Sequence, residues 1–174
     1  MATVRRVGNV TDVDFQEFYR ANRDPCLRAV LVGVGDRQLA EDLVAEAFAR
    51  AWAAWPKVSR HPAPRAWVVR TANNTRISWW RRRRRETALD DAADVAAAPQ
   101  SDRGVDPALL GLLRQLPQRQ REVIAYRVFL DLDTDATAQA LGIAPGTVKA
   151  HLSRAVATLR ANHILVGNSS EARP

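Results

Sequence analysis

Between Lys57 and Arg85 the chain carries ten lysines and arginines and no aspartate or glutamate. The stretch closes on Ile77-Ser78-Trp79-Trp80 and five consecutive arginines, Arg81 to Arg85. Positive charge at this density is an address for a polyanion, most simply nucleic acid, because each guanidinium that meets a phosphate releases a condensed counterion. The interleaved tryptophans add what charge alone lacks, a π face on which an unpaired base stacks for roughly 1–3 kcal/mol. His61, Arg65, Arg70, Asn73, Arg76, Trp79, Trp80, Arg81, Arg82, Arg83, Arg84 and Arg85 are the candidate contacts. A solvated basic helix end is the alternative reading of the arginine run.

A second candidate lies about 60 residues downstream. Leu141-Gly142-Ile143-Ala144-Pro145-Gly146-Thr147-Val148-Lys149 has the make-up of a helix-turn-helix corner. Glycine takes the left-handed position that ends one helix, and proline opens the next. In the final helix Val148, Leu152, Ala155, Val156 and Leu159 form an apolar stripe. The opposite face carries Gly146, Lys149, Ala150, Ser153, Ala157 and Arg160, flanked by Thr147 and Arg154. Small residues let the backbone approach a base-pair edge, and Lys149, Ser153 and Arg154 then read bases or hold phosphates.

These two candidates need positioning elements, and the sequence supplies helices for both. Alanine and leucine are abundant and alternating strand patterns are absent, so the expectation is an all-α chain of two small helical domains. Residues 12–33 read as a first helix with Thr11 as N-cap, broken or kinked at Asp24-Pro25. Residues 37–55 follow, capped by Asp36, with Ala40, Val44, Ala47, Phe48, Ala51, Trp52 and Trp55 on one apolar face and Asp42 and Glu46 opposite. A third helix spans about 64–84. Residues 86–106 hold six acids and one base and read as a flexible acidic linker. Asp106-Pro107 starts a second unit, 107–163, and residues 164–174 read as a disordered tail. The domain division is thus 10–85, 86–106, 107–163 and 164–174.

Composition excludes other classes. The 174 residues carry a net charge of +7 and a single cysteine, Cys26, so no internal disulfide forms and a reducing, cytoplasmic setting is expected. No apolar run reaches the roughly 18 residues of a membrane span, and no signal peptide is read. The three histidines are scattered, and no phosphate loop, nucleophile elbow or carboxylate pair is present. The expectation is therefore no enzyme activity, no metal and no cofactor.

The ordered set of motifs resembles the extracytoplasmic-function sigma factors of bacterial RNA polymerase, and the Ile77-Ser78-Trp79-Trp80-Arg81 run is similar to their actinobacterial branch. The likeness rests on Gly35-Asp36-Arg37, on residues 40–52, on Ala66-Trp67-Val68-Val69-Arg70, on residues 116–123 and on residues 146–155. It implies that the first unit binds core RNA polymerase through Asp42 and Glu46 and opens the −10 promoter element, taking it as a single strand on the basic helix. It implies that the second unit binds the −35 element as duplex through Thr147, Lys149, Ala150, His151, Ser153 and Arg154. The implied partners are core RNA polymerase, promoter DNA and an anti-sigma factor. Two other readings stay open: a stand-alone helix-turn-helix regulator with an N-terminal sensing domain, and a nucleic-acid enzyme such as a recombinase.

Overall fold

The computed structural model describes residues 10–86 and 105–170, with side chains for 14–80 and 105–162. The described chain is helical throughout, without strands. Helix α1 runs Val10–Val34, α2 Arg37–Ala53, α3 Trp55–Val58 and α4 Pro64–Glu86. Helix α5 follows at Pro107–Arg114, α6 at Gln118–Ile124, α7 at Thr134–Leu141 and α8 at Pro145–Ser170. Between α6 and α7 a single π turn covers Ala125–Phe129.

Local chemistry sets three of the helix starts. Asp36 holds an extended backbone and its carboxylate accepts from the Leu39 amide at 2.7 Å. Asp106 does the same for Ala108 at 2.9 Å and Asp133 for Ala136 at 2.7 Å. Each satisfies one of the four amides that a helix N-terminus leaves unpaired. Gly142 ends α7 in the left-handed conformation, with φ 66°. Replacing Asp36 by alanine is expected to cost about 0.5–2 kcal/mol, read as a lowered urea midpoint with unchanged slope.

Three expectations change. Helix α1 starts at Val10, so Thr11 lies inside it, and it passes through Pro25 as one element. Cys26, Leu27, Ala29, Val30, Leu31 and Val32 are all buried, and that apolar burial outweighs the one backbone bond that proline removes. The carbonyl that Pro25 leaves unpaired belongs to Ala21, an exposed residue within reach of water. Helix α8 continues to Ser170, so 164–170, expected to belong to a disordered tail, extend the helix instead; no proline interrupts them. Trp52, expected in the core, is 47 % exposed, whereas Trp55 is 6 % exposed. Residues 87–104, most of the expected linker, and 171–174 lie outside the described residues.

The largest buried cluster joins α1, α2 and α4: Leu43, Val44, Phe48, Trp55, Val68 and Val69 pack with Leu27, Val30 and Leu31. Ala125, Tyr126, Leu130 and Leu132, from the π turn and the loop after it, belong to the same cluster. Leu113, Leu116, Ile124 and Ala155 close around Val32 of α1. The second half keeps a smaller core of its own, Val123, Ala138 and Val148. The two helical halves therefore sit against each other along α1.

Candidate nucleic-acid interface

Helix α4 carries the basic run. At its start, Nδ1 of His61 accepts from the Ala63 amide at 3.0 Å, which leaves Nε2 as the donor of the neutral ring. One stripe of the helix then presents Trp67, Arg70, Thr71 and Asn74, at the i, i+3, i+4, i+7 spacing of a single helical face. With His61, Ala63 and Ala66 they form one wall of a cleft of about 340 Å³. Arg70 and Asn74 are exposed, Trp67 and Thr71 half-buried. Such a wall offers a cation, an indole, a hydroxyl and an amide to a ligand as large as a nucleobase.

The candidates from sequence divide between two faces. His61 and Arg70 line the cleft, and Arg65 is half-buried beside it. Asn73 and Arg76 turn toward α1 instead: the Arg76 guanidinium donates to the Gly33 carbonyl at 2.9 Å, and Asn73 Oδ1 faces Gly33. Steps of three residues rotate about 60° short of a full turn each time, so 70, 73 and 76 cannot share a face for long. Trp79 and Trp80 are both exposed, at 42 % and 55 %. Arg81 to Arg85 continue α4, with side chains outside the described set. Thr71 and Asn74 were missed from sequence; the stripe through Trp67 and Arg70 was the signal available. Thr75, one turn on, is buried and satisfied, its hydroxyl donating to the Thr71 carbonyl at 2.9 Å.

On α8 five of the six predicted residues are brought together. Thr147, Lys149, Ser153 and Arg154 are exposed along one face, and Ala150 is half-buried between them. Val148 and Ala155 are fully buried opposite, which fixes the rotation of the helix. His151 stands apart, half-buried with Nδ1 enclosed and without a hydrogen-bond partner, on the side of the apolar stripe. The exposed face has two cations, a hydroxyl pair and small residues beneath them, the composition that enters a major groove.

On α2, Asp42 is exposed and accepts from Gln38 Nε2 at 3.2 Å. Glu46 pairs with Arg50 one turn on at 2.8 Å. Both lie away from the buried side of the helix, where Leu43, Ala47 and Phe48 pack.

Two buried titratable groups are structural. Burial pushes the Cys26 thiol up to about 12, so it stays protonated, and its Sγ lies 3.9 Å from the Arg65 carbonyl. Burial likewise raises the Tyr126 phenol, helped by the Glu122 carboxylate and opposed by Arg70. Among the described residues no cluster of histidine, cysteine and carboxylate could hold a metal, and no helix is long and apolar enough to cross a membrane.

Comparison with known proteins places these faces in context. Residues 18–86 match the family described as Sigma-70 region 2, and residues 107–159 match Sigma-70, region 4. The RNA polymerase sigma-E factor of Streptomyces avermitilis is 34 % identical over 150 residues, covering 85 % of this chain and 84 % of that protein. The ECF RNA polymerase sigma factor SigL of Mycobacterium tuberculosis is 35 % identical over 136 residues, 72 % of this chain and 75 % of its own length. Among solved structures, the sigma factor RpoE of Bartonella quintana, in complex with the anti-sigma factor NepR, matches with a TM-score of 0.69 at 25 % identity, covering 85 % of this chain and 95 % of that one.

Proposed function

From the premise that this chain belongs to the sigma-70 family, as an ECF RNA polymerase sigma factor that acts in transcription initiation, we propose a division of labour among its three exposed faces. Helix α8 reads the −35 element as duplex through Thr147, Lys149, Ala150, Ser153 and Arg154, with His151 seated behind them. Helix α4 takes the opened −10 strand. His61, Arg70, Thr71 and Asn74 meet a base in the cleft, Trp79 or Trp80 stacks, and Arg81 to Arg85 hold phosphates. Asp42 and Glu46 on α2 meet core polymerase. The working units are 10–85 and 107–163, joined by the acidic segment 86–106. The protein works in the cytoplasm, without catalysis of its own, and is held inactive by an anti-sigma factor, as its structural relative is bound by one.

The observation that carries this reading is the pairing of a basic helix, closed by exposed tryptophans, with a separate helix whose exposed face is small and cationic. A single face would serve a simple operator binder; two faces of different chemistry fit two DNA states, a strand that stacks and a duplex that is read from its groove. The test is transcription in vitro with core polymerase on a randomised promoter library. Enriched templates should share two separated elements, and the absence of promoter-dependent transcripts would refute the proposal. On the polymerase side, Asp42→Arg with Glu46→Arg is expected to weaken core binding at least tenfold and leave the circular dichroism unchanged, because both carboxylates stand off the buried face. Equal core affinity for variant and parent would remove α2 from the polymerase contact.

A further inference from the structure

Helix α4 outruns the packed body of the protein. Up to Arg76 it has neighbours. Val68, Val69, Ala72 and Thr75 are buried, Arg76 reaches Gly33, and Ala136, Gln139 and Ala140 of α7 line the far side of the cleft. From Ile77 the pattern changes. Ile77, Ser78, Trp79 and Trp80 are all exposed, and four consecutive helix positions cover every side of the axis. The helix then runs on through Arg81 to Arg85 and ends at Glu86. Residues 77–86 thus make a helical arm about 15 Å long, at 1.5 Å per residue. Its first turn holds three large apolar side chains in water: Ile77 is 48 % exposed, Trp79 42 % and Trp80 55 %.

Trp79 and Trp80 suit a base and the arginines suit a phosphate, but Ile77 suits neither. It has no π face and no polar atom, and it stands three residues from Trp80, on the same side of the helix. An aliphatic residue beside tryptophans, followed at once by a block of arginines, is the make-up of a helix that lies in the headgroup layer of a bilayer. There the apolar residues enter the acyl boundary, the indoles sit at the interface and the guanidiniums hold lipid phosphates. We propose that the arm 77–86 docks this sigma factor on anionic bilayers, with Ile77, Trp79 and Trp80 inserted and the arginines on the headgroups, and that a bilayer and an opened DNA strand compete for it. The docking goes beyond the promoter reading, and only the competition rests on it. Charge complementarity selects the lipid. No acid lies between Lys57 and Arg85, and each base near an anionic surface raises partition about fivefold. Two or three of the five arginines can face one surface, so the preference over a neutral bilayer is roughly 25- to 100-fold. No described helix is long and apolar enough to cross a membrane, so the attachment is superficial and reversible. A docked chain is withheld from promoters, because the arginines on the headgroups are those that hold the strand.

The test sediments the full chain with vesicles of phosphatidylglycerol and phosphatidylcholine in equal parts, and with phosphatidylcholine alone. The parent should bind the anionic vesicles at least about 25-fold more tightly. Replacing Arg81 to Arg85 with glutamine should remove most of that difference. Ile77→Ser decides between lipid and nucleic acid, since it leaves every charge and both indoles in place. It should weaken vesicle binding about three- to tenfold, the effect of withdrawing a half-exposed aliphatic side chain from the acyl boundary. Its affinity for a fluorescein-labelled random-sequence single-stranded DNA should equal the parent's. Ile77→Trp should tighten vesicle binding and leave strand binding unchanged. The docking is overturned if the parent binds both kinds of vesicle alike or neither, if Ile77→Ser keeps the parent's vesicle affinity, or if it loses vesicle and strand affinity in equal measure. Excess unlabelled strand should release the parent from the vesicles, and a chain that holds both at once overturns the competition. Failure of the promoter reading looks different: the vesicles would bind as expected and the strand would not bind at all.

Discussion

Replacing Arg81 to Arg85 with glutamine is expected to weaken binding to every promoter alike and to flatten the salt dependence. The five arginines stand in an unbroken run near the end of α4, and their expected partners on an opened strand are the phosphates, which are the same at every step. Each phosphate contact on a single strand contributes about −0.7 to the slope of log K against log salt; consecutive residues of a helix point to all sides, so about two to three contacts give about −1.4 to −2.1, and a fourfold rise in salt then costs roughly seven- to twentyfold in affinity. The glutamine variant should lose that component and keep its order of preference among −10 sequences. The contrast is with α8. Replacing Lys149 or Arg154 by alanine should leave overall binding less affected but relax the −35 preference, by about 1–3 kcal/mol where a bidentate base contact is lost. Competition assays over a promoter panel at several salt concentrations read both effects. A five-glutamine variant with an unchanged slope and an altered −10 preference would show that the arginines read sequence after all.

Features that depend on a few neighbouring residues could be read from the chain directly. Asp36, Asp106 and Asp133 cap helices as their positions predict, and Gly142 takes its left-handed turn, because each outcome is decided within about four residues. The rotation of α8 followed from its apolar stripe for the same reason. What escaped depends on neighbours distant in sequence. Pro25 is a helix breaker by local rules, and only the burial of Cys26 to Val32 keeps α1 whole. Asn73 and Arg76 look like ligand contacts until Gly33 is found beside them. Nothing in the spacing of Ala136, Gln139 and Ala140 announces the α4 cleft they face, since a small-residue helix surface has no sequence mark of its partner. The π turn at Ala125–Phe129 is of the same kind. Its residues are ordinary helix formers, yet the wide turn and the loop after it carry Tyr126, Leu130 and Leu132 into the core of the other half.

The largest stability effect should come from Trp55. Its ring sits 5.2 Å from Phe15, nearly edge-on at 81°, and 5.0 Å from Phe18, and the residue is 6 % exposed. Truncation to alanine removes the indole from the core and leaves a cavity that Phe15, Phe18 and Phe48 cannot fill without leaving their present contacts, a loss of about 3–5 kcal/mol. Trp52, three residues earlier on the same expected apolar face, is the control. It is 47 % exposed, with one ring contact, to Phe15 at 4.8 Å and 60°. Its truncation should cost about 1 kcal/mol, the order of a single aromatic pair with modest burial. Urea unfolding of the full chain should give a far larger drop in midpoint for Trp55→Ala than for Trp52→Ala, and equal drops would mean that Trp52 is as well packed as Trp55. The difference also separates stability from function. Trp55 supports the α1–α2 packing behind Asp42 and Glu46 without touching the exposed face of α2, so any loss of polymerase binding in Trp55→Ala should track the unfolded fraction and be restored under conditions that refold the chain. The Asp42→Arg, Glu46→Arg variant should show no such recovery.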